Sequence, residues 1–77
     1  MNRAIRSTDE LGRVIRAERK ALGLTQDDLA AACGVSLRFI SELERGRASA
    51  GVGRVLHVLK MLGLRVVLES PAGADDG

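Results

Sequence analysis

The sequence contains few of the residue types that build aromatic cores, disulfides, or catalytic and metal sites. Its 77 residues include one Phe and no Trp or Tyr, so Leu, Val, Ile and Ala must supply the core. One Cys cannot form an internal disulfide, and one His without nearby Cys or carboxylates at ligand spacing does not make a metal site. No nucleophile and base share a spacing that supports catalysis. We therefore expect no enzyme, no cofactor and no bound metal.

Long hydrophobic segments are also missing. No apolar run approaches the length of a membrane span, and no apolar signal segment begins the chain. We expect a cytoplasmic protein with no membrane partner. In such a reducing compartment we interpret Cys33, which lies on an apolar helical stripe, as a small core residue; the alternative is a redox or ligand role.

Charge is distributed unevenly along the chain. The formal net charge is +2, but residues 1–63 carry eleven Lys and Arg against seven Asp and Glu, whereas the last fourteen residues carry one Arg against three acidic residues. A mildly basic domain is compatible with nucleic-acid binding but does not prove it, because charged residues usually form a solvated surface. The length predicts one small domain, whose thin core would benefit from a partner subunit.

Residues 25–46 contain two short helical patterns joined by a tight turn. Thr25 and Asp28 have the spacing of a capping box, Gly34 marks the end of one helix, and Ser36 can cap another that ends at Gly46. Helices joined so tightly must cross steeply, which leaves one polar face projecting. The predicted inward residues are Leu29, Ala30 and Cys33 on the former helix, with Ile40 and Leu43 on the latter.

A longer helix is predicted on each side of this pair. The preceding helix is capped by Ser7 or Thr8, runs to about Leu22 and stops at Gly23. The following helix ends at Gly63, and its start is left open because residues 47–53 are Gly-rich. We interpret the nearby His57 as exposed or half-buried. The predicted inward stripes are Leu11, Ile15 and Leu22 on the former helix, and Val55, Leu56, Leu59 and Leu62 on the latter.

In this order and spacing, the motifs of the central segment resemble the Xre/Cro-type helix-turn-helix repressor family over roughly residues 11–64. The resemblance implies an all-α fold, a compact lambda-repressor-like domain of four to five helices that binds operator DNA through its third helix. The chain departs from the family at Ala48 and Val52, where many relatives have proline and leucine. The matching motifs are Leu22-Gly23-Leu24-Thr25-Gln26, Leu29-Ala30, Gly34-Val35-Ser36, Ile40-Ser41 and Glu44-Arg45-Gly46.

The resemblance also indicates which residues would contact base edges. Arg38 suits a bidentate contact to guanine, and Leu37 suits a thymine methyl. Glu42 could accept from a cytosine amino group or could be a solvated charge repelled by phosphate. Phe39 lies off the apolar stripe, so it packs against a neighbouring helix or lies on the sugar-phosphate backbone. The groove-facing positions are Ser36, Leu37, Arg38, Ser41 and Glu42.

Three further residues are expected at DNA phosphates. Gln26 matches a family residue that holds a phosphate and braces the third helix. Arg45 and Arg47 follow that helix and suit phosphate contacts. Arg3 and Arg6 lie in a loose N-terminal arm that either touches phosphates or has no role.

One charged residue interrupts the apolar face of the first helix. Arg19 occupies a position where an apolar side chain is expected, and a buried charge needs a partner. The resemblance implies an ion pair with Glu44, which would tie the first helix to the end of the third. The alternative is that Arg19 extends to solvent.

The residues after the fourth helix alternate as in a strand. Leu64, Val66 and Leu68 alternate with Arg65, Val67 and Glu69 before Pro71. A lone strand needs a ladder partner, so we predict pairing with a second copy about a twofold axis at Val67, with Arg65 opposite Glu69. The alternative is packing on its own helices. The predicted regions are a flexible arm (1–7), a DNA-binding domain (8–63), a dimerisation strand (64–70) and a disordered acidic tail (71–77).

Within the family, the chain looks most like the HipB-type antitoxins. The features that carry this resemblance are its short length, the residues of its third helix and its single strand. That resemblance implies a homodimer that represses its own operon and binds a kinase-like protein toxin. Two alternatives remain, namely a stand-alone repressor without a toxin and a helical adaptor that binds protein and not DNA.

Overall fold

The computed structural model describes residues 3–47 and 49–73, and this part of the chain forms four α-helices. The all-α fold is therefore confirmed. None of these helices is long and apolar enough to cross a bilayer. Ala48, and the predicted acidic tail residues Asp75 and Asp76, lie outside the described residues. The helices are Thr8–Ala21 (α1), Gln26–Cys33 (α2), Leu37–Glu44 (α3) and Val52–Met61 (α4).

Local hydrogen bonds set the first three helix starts where the sequence predicts them. The N-cap side chains of Ser7, Thr25 and Ser36 each accept a hydrogen bond from a backbone N–H three residues later. At Thr25 the capping box is complete, because Asp28 accepts from the Thr25 backbone N–H at 2.9 Å. The hydrogen bonds to Thr25 lower the pKa of Asp28, and the bond to the Thr25 backbone has a larger effect than the bond to its side chain. Gly34 ends α2 in the left-handed conformation, with φ 68°.

The core is a single aliphatic cluster between the helices. Cys33 belongs to it, and burial raises the pKa of its thiol, which favours the uncharged form of a small core residue. Because the cluster draws on all four helices, the position of α3 depends on the whole domain. The buried members are Ile15, Leu29, Ala30, Cys33, Ile40, Leu43, Val58, Leu59 and Leu62.

Two predicted core residues are exposed. Leu22 is 55% exposed because it is the C-cap of α1, beyond the last turn that packs on the core. Leu56 is 47% exposed because α4 begins at Val52 and turns Val58 inward. The inward stripe of α4 is therefore rotated from the predicted one, and Leu56 and His57 lie on its outer side.

The segment after α4 forms neither helix nor strand within the described single chain. Leu64 packs against the core cluster, whereas Val66, Val67 and Leu68 are exposed, Leu68 at 92%. Leu64 thus follows the alternative in which the segment packs on its own helices. The intersubunit strand concerns a second copy of the chain and remains a prediction.

Candidate nucleic-acid interface

The turn between α2 and α3 positions the projecting helix. It contains only three residues, and the Val35 N–H donates to the carbonyl of Ala30 at 3.0 Å. Val35 also packs against the core cluster. The start of α3 is thus fixed beside the end of α2 by a backbone bond, by the left-handed Gly34 and by apolar contact.

α3 buries one face and exposes the other. Ile40 and Leu43 are buried, whereas Leu37 is 45% exposed and the Arg38 side chain is 85% exposed. Helical periodicity puts the outward residues on one side, one turn apart. The five predicted base-contacting residues thus lie together at the N-cap and along the outer face of α3: Ser36, Leu37, Arg38, Ser41 and Glu42.

Ser36 already has a structural role as the N-cap of α3. Its Oγ accepts a hydrogen bond from the Phe39 N–H at 3.0 Å, which caps α3. A hydroxyl has one donor and two acceptor positions, so its O–H remains chemically suited to donate to DNA. Ser36 could therefore cap the helix and contact DNA at the same time.

Two of the predicted base contacts pair with each other. Arg38 Nε lies 3.4 Å from Glu42 Oε2, one helical turn away. The pair is exposed on the Arg38 side, and exposed pairs of this kind contribute little to stability. Arg38 and Glu42 are thus coupled on the face that would meet DNA.

The C-terminal end of α3 is held by a buried ion pair with α1. Arg19 Nε donates to Glu44 Oε2 at 2.6 Å, and Arg19 Nη2 donates to Glu44 Oε1 at 3.0 Å. A third donor, Nη1, bonds the Leu24 carbonyl at 2.8 Å. Arg19 is 7% exposed and Glu44 is 8% exposed. This bidentate geometry joins α1, the loop before α2 and the end of α3.

The ionisation of the pair follows from its contacts. Burial by itself raises the pKa of Glu44, but hydrogen bonds from Arg19 and Gln26 and the charges of Arg19 and Arg16 outweigh it, so the pKa is lowered. The hydrogen bond to Glu44 raises the pKa of Arg19. Both partners are therefore fully charged at neutral pH, and each compensates the other's burial.

Gln26 joins the same network from the start of α2. Its Nε2 donates to Glu44 Oε1 at 3.1 Å, so Gln26 braces the end of α3. An amide nitrogen has two hydrogens, and the second one could donate to a phosphate. The side-chain geometry is compatible with both of its expected roles, although its phosphate contact remains a prediction.

The two predicted phosphate-binding arginines follow the last residue of α3. Arg45 is its C-cap, Arg47 follows two residues later, and both are exposed. Gly46, between them, adopts φ 83°. The structure thus places two cationic side chains beside the projecting helix, where they are accessible to a polyanion.

Gly12 is a positioning residue that sequence reasoning missed. A Cβ at Gly12 would lie 2.5 Å from the Glu44 carbonyl oxygen and 2.7 Å from that of Leu43. Nearby, Thr8 Oγ1 donates to the Gly46 carbonyl at 2.7 Å. The backbone of α1 thus lies directly against the end of α3. A lone glycine inside a helical pattern was the available signal.

Arg54 is the second missed residue. It reaches from α4 to Phe39, with its guanidinium carbon 6.0 Å from the ring centroid. Phe39 packs against the core cluster, which is the first of its two predicted alternatives. Arg54 therefore adds a cation beside α3 that no local pattern indicated. A shallow groove is lined by Gly34, Val35, Ser36, Arg38, Phe39, Glu42 and Arg54.

Comparison with known proteins agrees with this architecture. The sequence profile of the family described as Helix-turn-helix matches residues 15–67. An uncharacterized HTH-type transcriptional regulator of Sinorhizobium fredii, y4mF, is 41% identical over 71 residues, which cover 92% of this chain and 93% of that protein. The chain therefore belongs to the helix-turn-helix family, as its resemblance to Xre/Cro-type repressors predicts.

Solved structures of HipB have the same fold. The chain superposes on HipB in the HipB–O4 20mer complex with a TM-score of 0.81, at 24% identity over 91% of this chain and 99% of that chain. The TM-score and coverage are the same for the HipA–HipB–O2–O3 complex. At this identity the similarity establishes a shared fold.

Proposed function

We propose that the protein is a sequence-specific DNA-binding transcriptional repressor and not an enzyme. The observation that carries the proposal is the contrast between the two sides of α3: the outward side carries Arg38 and Glu42, while Glu44 is bonded to both α1 and α2. A firmly held helix with a polar outward face suits the major groove, which is wide enough to admit an α-helix. A DNA-binding role also agrees with the membership of the chain in the helix-turn-helix family.

The outward residues divide by chemistry. Arg38 is assigned to guanine, Leu37 to a thymine methyl, and Ser36, Ser41 and Glu42 to polar base edges. The support for these assignments is the position of all five residues on one side of α3, where Ser36, Leu37 and Arg38 are exposed and Ser41 and Glu42 are half-buried. The phosphate contacts are assigned to Gln26, Arg45 and Arg47, which lie at the start of α2 and beyond the end of α3.

A homodimer would supply the second recognition helix. One short helix makes few base contacts, whereas a twofold dimer presents two helices to half-sites about 34 Å apart. The exposed Val66, Val67 and Leu68 support an intersubunit strand, because they leave an apolar segment uncovered. An antiparallel register about Val67 would set Arg65 opposite Glu69 of the second copy.

We assign the repressor, more specifically, to a toxin–antitoxin operon that it autorepresses. The support is the fold shared with HipB, which also forms a complex with HipA. Co-expression with the product of the adjacent gene tests this part, and a stable complex of the two proteins is the expected result. If no complex forms while specific DNA binding is intact, the protein is a stand-alone repressor.

A salt titration of DNA binding tests the central proposal. The DNA upstream of the protein's own gene is compared with an unrelated duplex of equal length. We expect the own-promoter duplex to bind on the order of a thousandfold more tightly, within the usual range for specific recognition. Equally weak binding of both duplexes would overturn the proposal and favour the protein-binding adaptor.

A further inference from the structure

We propose that Glu42 is a specificity residue that restrains Arg38 until the correct bases are present. The inference rests on the DNA-binding function proposed above and extends it. In the free protein the Glu42 carboxylate pairs with Arg38 Nε at 3.4 Å. A DNA site must separate the two groups or satisfy both of them, and only some base pairs do so.

The exposure of the two partners makes the pair reversible. The Arg38 side chain is 85% exposed and the Glu42 side chain 31% exposed. A pair so accessible to water is weak and salt-sensitive, so a ligand can replace it. Glu42 is the more enclosed partner, in the groove that Phe39 and Arg54 also line. Arg38 is therefore the group that moves toward DNA, and Glu42 stays close to the helix.

A random phosphate satisfies only one partner. If Arg38 leaves to contact a phosphate, the Glu42 carboxylate loses its cation and faces the negative potential of the DNA. This penalty applies to every sequence that offers Arg38 only a backbone contact. Glu42 thus lowers non-specific affinity, which most DNA-binding proteins obtain from such arginine–phosphate contacts.

A guanine with an accessible cytosine amino group satisfies both partners. Arg38 can donate to guanine O6 and N7, while Glu42 accepts from cytosine N4. The two side chains are one helical turn apart, with Cβ atoms separated by about 5–6 Å in an α-helix. Successive base pairs rise by about 3.4 Å, so the same or the adjacent base pair is within reach. The chemical class selected is therefore a G·C-containing step in the major groove.

Glu42→Gln is the direct test, since glutamine keeps the shape of the side chain and removes its charge. Affinities for the own-promoter duplex and for a random duplex are measured over a range of salt concentrations. We expect the random duplex to bind about two- to fivefold more tightly per protomer, the effect of losing one weak surface pair. The salt slope on random DNA should steepen by about 0.9 per protomer, because Arg38 becomes available to phosphate. The ratio of specific to random affinity should fall.

Two further variants make the result decisive. Glu10→Gln removes the same charge from the first turn of α1, which contributes nothing to the groove of α3, and should leave that ratio unchanged. In an Arg38→Ala background, Glu42→Gln still relieves repulsion from DNA, but it should no longer steepen the salt slope on the random duplex, because the cation that would reach a phosphate is gone. An equal steepening in that background would identify a general charge effect and overturn the inference.

The remaining outcomes separate this inference from the function on which it rests. If wild type discriminates between the duplexes but Glu42→Gln changes neither affinity, or weakens only own-promoter binding, Glu42 does not restrain Arg38 and the inference fails alone. If wild type does not discriminate at all, the proposed function fails as well.

Discussion

The two Arg–Glu pairs of α3 have the same chemistry and opposite properties. Arg19 and Glu44 make two hydrogen bonds, the shorter at 2.6 Å, and the residues are 7% and 8% exposed. Arg38 and Glu42 make one contact at 3.4 Å, and the arginine side chain is 85% exposed. Burial, bidentate geometry and additional hydrogen bonds thus distinguish a pair that fixes the helix from one that a ligand can open.

The two pairs explain how so short a helix can be held in place and still be open to a ligand. α3 has only eight residues, too few to be stable alone, so its order must come from tertiary contacts. Those contacts come from the buried Ile40 and Leu43, from the turn that joins α3 to α2, and from Glu44 and the adjacent backbone beside Gly12. The outward face of the helix remains accessible for recognition.

The largest effect is expected from breaking the buried pair. Glu44→Ala leaves the Arg19 guanidinium buried without its carboxylate and should cost about 3–5 kcal/mol in the free energy of unfolding. Urea unfolding at one fixed protein concentration measures the loss. The paired replacement Arg19→Met with Glu44→Leu should recover most of it, because neither charge is then left alone. A loss below about 1 kcal/mol for Glu44→Ala would mean that the pair is no stronger than an exposed one.

Gly12→Ala should come next in size. The new methyl would overlap the carbonyl oxygens of Leu43 and Glu44, which belong to the backbone and cannot rotate away. We expect a loss of about 1–3 kcal/mol, typical of overpacking. Gly53→Ala is the matched control, because nothing lies within 4 Å of a Cβ there and α4 should gain about 0.5–1 kcal/mol from helix propensity. Equal effects at both glycines would contradict the close approach of α1 to α3.

Acid should weaken the buried pair. The pKa of Glu44 is lowered in the folded protein, so its stabilising contribution is present above the ordinary glutamate pKa of about 4.3 and is lost as the pH falls through the lowered value. As the pH falls below about 5, wild type should therefore lose more stability than the Arg19→Met, Glu44→Leu protein. Asp28, whose pKa is also lowered, is present in both proteins and cancels in the comparison. Parallel pH profiles would show that Glu44 does not titrate in this way.

The smallest stability effect is expected at the exposed pair. Arg38→Ala and Glu42→Ala should each change the free energy of unfolding by less than about 0.5 kcal/mol, apart from their effects on binding. Thermal unfolding should place both variants within a few degrees of wild type. A loss comparable to that of Glu44→Ala would remove the distinction between the exposed and the buried pair.

The sequence predicted the features that depend on neighbouring residues and missed those that depend on packing. The caps at Thr25 and Ser36 were correct, and Ser7 is the cap among the two candidates Ser7 and Thr8, because a side chain bonds a backbone N–H only three residues away. The contact of Gly12 with α3 spans more than thirty residues, and no local rule places one helix on another. The partners Arg19 and Glu44 are 25 residues apart, and the family resemblance, not their spacing, suggested their pairing.

Sequence patterns also fail to determine how a helix is rotated about its axis, and therefore which side faces the core. On α4 the apolar residues are so numerous that several stripes are possible, and the predicted stripe placed the exposed Leu56 inside. The position of Arg54 over Phe39 follows from the same rotation and from the start of α4, which the Gly-rich segment left open. The helical content was therefore predictable, but the surface beside α3 was only partly so.

Binding of Arg38→Ala to the DNA upstream of the gene is the most direct test of recognition through α3. Each protomer should lose one bidentate base contact, so the Kd should rise at least about tenfold, since such a contact contributes about 1–3 kcal/mol. The Tm and the oligomeric state should stay as in wild type, because the exposed pair does not hold the fold. Wild-type affinity in this variant would mean that the outward face of α3 is not the surface that recognises DNA.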